Sequence, residues 1–371
     1  MTLADQVDPD RLVRTFLDLV AIDSPTGHER NIGRELAERF RQLGCQVTQD
    51  PVGNLTAVLP GKRGDTVLVA THMDTAGSDT GIQPIVADGV IRTDGSSILG
   101  ADDKSGIAGC LEVLTLLSES PHTAHPTIEF VITVGEESGL VGSRQMDVEA
   151  LKATYGFVLD TPGVIGSITY WAPTEIDMTI TIHGKGAHAA VEPEKGINAV
   201  RVAAEAVSTM PLGRIDEETV ANIGIISGGD ARNIVPSLVR MEGMARSHDQ
   251  GKLDAQIEAM RTAFDDAARR HGATVELQAE EIYRTYRIDE SAKPYREAAR
   301  AIRSLGLNVV PRKSRGGTDD GNFFNAKGIP CVALSTGMVD EHASTEHIAI
   351  DDMVNACKVL ITILTQEPEP A

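Results

Sequence analysis

Four short β-rich segments constrain this chain most. They are Leu55–Leu59, Thr66–Ala70, Thr127–Val134 and Tyr155–Leu159, and the last three are almost wholly apolar. Strands this apolar are buried on both faces, as in a mostly parallel sheet covered by helices. Helical patterns alternate with them. Asp8 can cap a first helix with Pro9 in its first turn, and Leu12, Val13, Phe16, Leu17, Leu19 and Val20 form its apolar side. A second helix is expected from about His28 to Leu43, ending at Gly44, and a third over Asp102–Ser118. The class is α/β.

The pattern changes near Pro173. Strands at Ile176–Ile182, Ala221–Ile226, Ser237–Ala245 and Ala273–Ile282 alternate with helices at Ile197–Met210 and Lys252–His271. That β-α-β-β-α-β order is the ferredoxin-like pattern. After about Tyr286 the α/β style returns, with helices at Ser291–Leu305 and Asp351–Leu364 and a strand at Cys331–Leu334. The expected organisation is a catalytic α/β domain (1–173 and 286–371) interrupted by an inserted α+β domain (174–285). The Glu-Pro tail reads as disordered.

Composition narrows the partners. The net charge of −20 argues against nucleic acid and anionic membranes, which need clustered Lys and Arg. No apolar run approaches the ~20 residues of a membrane span, and the N-terminus shows no secretory signal. Cys45, Cys110, Cys331 and Cys357 stand far apart, which suits buried thiols in a reducing cytoplasm better than disulfides or a zinc ribbon.

Polar residues gather where the apolar strands end. TVLVATHMDT finishes with His72 and Asp74, TIEFVITVGEE with Glu136 and Glu137, and YGFVLD with Asp160. Sites in open α/β sheets lie outside the C-terminal strand ends. Carboxylates crowded there repel, and few Lys or Arg in these segments could pair with them. A pair of divalent cations resolves the conflict. LGADDKSG adds Asp102 and Asp103 before a helix, where they can also serve as helix caps, and DEHASTE adds His342. Histidine and carboxylate donors without thiolate suit Zn2+, with Co2+ or Mn2+ as replacements. The chemistry expected is amide hydrolysis by a metal-bridging hydroxide, with a neighbouring glutamate as general base.

These motifs resemble the two-zinc exopeptidases, a family that includes peptidase T, carboxypeptidase G, acetylornithine deacetylase and succinyl-diaminopimelate desuccinylase. THMDT, LGADDKSG, GEESG, FVLD, GKGAHA, NIVP, RGGTDDGNFF and EHASTE occur in the family's order from about residue 70 to 346. LGADDKSG and RGGTDDGNFF are most similar to the peptidase T branch, which releases the N-terminal residue of tripeptides. The resemblance implies His72, Asp102, Glu137, Asp160 and His342 as metal ligands, with Asp102 bridging and the Asp102–Asp103 peptide cis. It implies Asp74 as the residue orienting His72, and Glu136 as the general base. His188, Asn233 and Arg315 correspond to substrate-binding residues, and Arg246 to a structural arginine. His188 comes from the partner subunit in dimeric relatives, so a homodimer through the inserted domain is implied. His342 is preferred to His347 because it precedes Glu346 by four residues.

Other readings are an N-acyl amino acid deacylase or a carboxypeptidase with the same metals, and a non-catalytic binding protein on this scaffold. A dinucleotide-binding oxidoreductase and a serine hydrolase lack their GxGxxG and GxSxG motifs.

Overall fold

Local signals place the first helices. In the structure, a computed structural model that describes residues 2–314 and 316–367, the Asp8 carboxylate accepts the N–H groups of Asp10 and Arg11 and opens the helix Pro9–Val20. Leu12, Phe16, Leu19 and Val20 are its buried side. The next helix, Arg30–Gln42, ends before Gly44, whose φ of 92° lies in the left-handed region that glycine tolerates.

The chain divides into two compact units. The first holds residues 1–170, 287–313 and 319–371, and the second holds 171–286 and 314–318.

In the first unit the central sheet runs in the order Gln46–Gln49, Leu55–Leu59, Thr127–Thr133, Thr66–His72, Tyr155–Thr161, Cys331–Ser335 and Ser167–Ala172. The four middle strands are mutually parallel. All but one residue of Thr66–His72 are buried, as the apolar run requires. Parallel register sets His72 beside Thr133 and Ala70 beside Val158. The ends of three strands therefore open at one edge of the sheet. The helix Ala101–Glu119 packs against Thr66–His72 and Tyr155–Thr161.

The second unit is an antiparallel sheet with two helices. The strands lie in the order Thr219–Gly228, Leu238–Ser247, Thr174–His183 and Thr274–Tyr283, with the two-residue Gly213–Arg214 at one end. Burial alternates along Thr174–His183, and Met178, Ile180 and Ile182 join Val202, Met241 and Phe264 in the core. The helices are Ala199–Thr209 and Gln250–His271. The architecture is the mixed α/β fold with a ferredoxin-like insertion that the sequence patterns imply.

Some elements have no counterpart in the sequence reading. Ile85–Ala87, Val90–Arg92, Met338–Val339 and His347–Ala349 form a small four-stranded sheet. Such short segments show too few residues for either periodicity. His347 belongs to this sheet and is half-buried. The four cysteines are buried free thiols. Among the described residues no helix is long and apolar enough to cross a membrane. The tail beyond residue 367 lies outside the described residues.

Candidate metal centre

Each strand end contributes through a turn that its own sequence shapes. After Thr127–Thr133 the chain passes through Gly135, with φ 61°, into a short turn that carries Glu136 and Glu137. Gly142 closes that loop. A Cβ there would stand 2.3 Å from the Val134 carbonyl oxygen and 2.4 Å from Asn54 Oδ1, so only glycine fits. Asp102 sits at the start of the helix Ala101–Glu119, just after Gly100 with φ 75°, and its peptide bond to Asp103 is cis.

Asp74 ties two of these segments together. Its Oδ1 accepts the Glu136 N–H at 3.0 Å, while Oδ2 accepts the Glu137 N–H at 3.2 Å and the Thr26 hydroxyl at 2.9 Å. His72 Nδ1 lies 3.1 Å from the Asp74 carbonyl oxygen and 3.4 Å from Oδ1. The other ring nitrogen, Nε2, is 2.9 Å from Asp102 Oδ1 and 3.9 Å from Asp160 Oδ2. On the far side of Asp102, His342 Nε2 is 3.1 Å from Oδ2 and 2.9 Å from Glu137 Oε2. The donor atoms form three overlapping groups, each within 4.8 Å: His72, Asp102 and Asp160; His72, Glu136 and Glu137; and Asp102, Glu137 and His342.

The electrostatics are unfavourable without further positive charge. Burial, reinforced by neighbouring carboxylates, pushes Glu136 and Asp160 well above the usual carboxylate range, and burial raises Glu137 as well. Burial also works against an ionised Asp102, but hydrogen bonds with His342 and His72 hold it low. Hydrogen bonds to Asp102 and Glu137 lift His342 to about 11. Among the described residues, the ion pairs of Asp102, Asp160 and Glu137 are all with these histidines, and Glu137 Oε1 is buried with no hydrogen-bond partner. An unpartnered, acceptor-only oxygen on a residue of a carboxylate and imidazole cluster suits a divalent cation. The residues present fit a metal centre.

That chemistry agrees with what the chain is similar to. Residues 68–366 match Peptidase family M20/M25/M40. The chain belongs to this family. It is 40% identical to the uncharacterized protein YqjE of Bacillus subtilis, over 97% of this chain and 99% of that one. Peptidase T of Clostridium novyi is 27% identical over 96% and 98%. The solved structure of aminopeptidase PepT from Bacillus cereus is 38% identical with a TM-score of 0.85, covering 97% of this chain and 98% of that one. A tripeptidase from Staphylococcus aureus gives 37% and 0.90 over the same shares. The chain is a peptidase T-like metallopeptidase, a hydrolase.

The other candidate residues lie elsewhere. His188 and Asn233 are exposed on the second unit, where a β-bridge joins His188 to Ile234 and the Ala189 N–H donates to the Asn233 carbonyl at 2.9 Å. Arg246 pairs with Glu175 at 3.0 Å and donates to the Gly316 carbonyl. Arg315 lies outside the described residues.

Several supporting groups escaped the sequence reading. Glu29 Oε1 accepts the Gly27 and Gly135 N–H groups, at 2.9 and 3.1 Å. Asp320 Oδ2 accepts the Thr133 hydroxyl at 2.5 Å. A lone carboxylate at a helix start resembles an ordinary cap, so nothing local marks Glu29. Asp320 carries a signal only through its place in RGGTDDGNFF.

Proposed function

We propose that the chain is an aminopeptidase that releases the N-terminal residue of short peptides, most fittingly tripeptides. The observation that carries this reading is the convergence of His72, Asp102, Glu137, Asp160 and His342 in overlapping groups, one of which includes Glu136, in a chain similar to an aminopeptidase PepT and a tripeptidase. In this reading His72 and Asp160 would hold one cation, Glu137 and His342 would hold a second, and Asp102 would serve both. Zn2+ suits the histidine and carboxylate donors, and Co2+ or Mn2+ can replace it. When bound, two such ions polarise a peptide carbonyl and bring the pKa of water near 7.

The protein groups do the rest. Glu136 takes a proton from the attacking water as its oxygen adds to the scissile carbonyl carbon. It then gives that proton to the departing amine as the C–N bond breaks. Asp74 fixes His72 and, through the Glu136 and Glu137 amides, the placement of the base. His188 polarises the carbonyl oxygen, Asn233 binds substrate, and Arg315 clamps the peptide carboxylate through two hydrogen bonds.

The inserted domain also serves for dimerisation, with His188 acting on the partner's site. Supporting this, Gly213–Arg214 pairs only with Val220 and Ala221, so Asn222–Gly228 is an open sheet edge among the described residues. Ile225 and Ile226 on it are 54% and 57% exposed. A cytoplasmic location suits the four free, buried cysteines.

Rates on Ala-Ala-Ala, its N-acetylated form and N-acetyl amino acids test the reading. Cleavage is expected to need the free amino group. Cleavage that survives acetylation would overturn the aminopeptidase assignment in favour of a deacylase or carboxypeptidase.

A further inference from the structure

Glu346 has no part in the chemistry above, yet its carboxylate is among the most engaged in the first unit. It is 1% exposed and accepts three backbone N–H groups. Oε2 takes those of Leu99 and Gly100, both at 2.7 Å, and Oε1 takes that of Asp102 at 3.0 Å. Leu99 and Gly100 precede the helix Ala101–Glu119 and Asp102 stands in its irregular first turn, so these N–H groups have no partner within the helix. A carboxylate is favoured there by its charge as well as by its two acceptor oxygens. Both oxygens are thereby committed to amides.

The other end of the same segment carries His342. Asp340 and His342 adopt φ of 58° and 62°, a region disfavoured for side chains with a Cβ. The His342 side chain is half-exposed, so packing alone does not hold it. Two turns make the segment short and stiff: the Ala343 N–H donates to the Asp340 carbonyl at 3.2 Å, and the Glu346 N–H to the Ala343 carbonyl at 2.9 Å. An anchor at Glu346 therefore fixes the backbone at His342. The same carboxylate holds the Asp102 backbone, and Asp102 Oδ2 is 3.1 Å from His342 Nε2.

We propose that Glu346 is a positioning residue that sets the separation of Asp102 and His342 and so forms the cation position bounded by Asp102, Glu137 and His342. The inference rests on reading His342 as a ligand. A glutamine cannot replace it, because its NH2 group would face amide donors where an acceptor is required.

Zn2+ titration of the metal-free full chain by calorimetry tests this with wild type, E346Q, H342A and the double variant. Wild type is expected to take two equivalents. E346Q should bind the equivalent at Asp102, Glu137 and His342 at least about tenfold more weakly, the usual cost of losing a group that orients a ligand, and the other, which shares only Asp102, by a smaller factor. On the H342A background, E346Q should cost less than it does in wild type, because the two act at one position and only the shared Asp102 is left to disturb. A purely structural glutamate would instead weaken both equivalents equally, or add its full loss to that of H342A, and either result overturns the proposal. So does wild-type affinity in E346Q. A wild type that binds no Zn2+ overturns the metal reading itself, and the two failures are thus distinct. Should E346Q not fold, hydrogen exchange in metal-free wild type carries the test. The Leu99, Gly100 and Asp102 amides should exchange far more slowly than exposed loop amides, and equal rates would refute the anchor.

Discussion

The two units differ in where their acidic residues cluster. In the second, most carboxylates stay at the surface beside cations, as where Lys252 reaches Asp216 at 3.1 Å and Glu218 at 3.0 Å and Glu205 meets Arg270 and His271, and the buried Glu175 pairs with Arg246 at 3.0 Å. Its core is left to Met178, Ile180, Phe264 and their neighbours. In the first, the buried Glu112 likewise pairs with Arg11 at 2.6 Å, but Asp74, Asp102, Glu136 and Glu346 are buried facing imidazoles and backbone amides. Burying charge without a counter-ion is costly, so a fold keeps such a cluster where something outside the chain completes it. The second unit is built for packing, and the first tolerates a destabilised pocket because chemistry needs it.

The largest expected effect concerns that pocket. Glu136→Gln should lower kcat by about a thousandfold, within the range for a lost general base, while cation content stays at the wild-type level. His72→Ala should instead lose cation. Metal analysis beside steady-state rates separates the two. Equal metal loss in both variants would mean that the pocket's carboxylates are not divided into ligands and base.

Buried charge in the first unit is expected to be a burden away from the cluster as well. Asp319 is almost fully buried, and burial raises its carboxyl to about 7. A folded-state value above the unfolded one means stability that is complete below about pH 4 and lost as pH rises through about 7. The whole shift corresponds to about 4 kcal/mol. Asp319→Asn keeps an acceptor for the Gly321 N–H and cannot ionise. Urea unfolding of the metal-free chain at pH 5 and pH 8 should show a drop for wild type and a much smaller one for the variant. Parallel drops would remove Asp319 as the cause.

The contrast between the units also explains what the sequence reveals. Signals within ten residues were legible: the Asp8 cap, the apolar strands, the change to alternating burial after Pro173, and the strand ends that deliver His72, Glu136 and Asp160. These depend on neighbours in the chain. The bonds from Glu346 to Leu99 and Gly100, and from Glu29 to Gly135, join residues 247, 246 and 106 positions apart. No local pattern encodes such pairs, because each carboxylate alone looks like a cap or a solvated side chain. The small sheet containing His347–Ala349 was hidden for a related reason, since it is assembled from two- and three-residue pieces.

A smaller effect is expected at the second unit's open edge. Replacing Ile225 and Ile226 with glutamate adds like charge to an uncharged, exposed stretch and leaves the core untouched. If two copies pair along Asn222–Gly228, dissociation should strengthen by at least about tenfold, since a desolvated like-charge contact costs a kcal/mol or more. Sedimentation of wild type and variant reads this. A variant that stays dimeric would place the interface elsewhere, and a fully active monomeric wild type would remove the need for one.

The smallest effect is the sharpest check on the contrast. Lys252 is exposed, and Asp216 and Glu218 hold its ammonium in charged form, yet water screens both pairs. Lys252→Ala should leave the unfolding temperature of the chain within error of wild type, and raising salt should not change that result. The Asp249 carboxylate would still cap the helix Gln250–His271, because it accepts the backbone N–H at position 252 and not the side chain. A large drop in unfolding temperature that salt reverses would show that the second unit also depends on its charges, and the division between a packed unit and a charge-burdened one would fail.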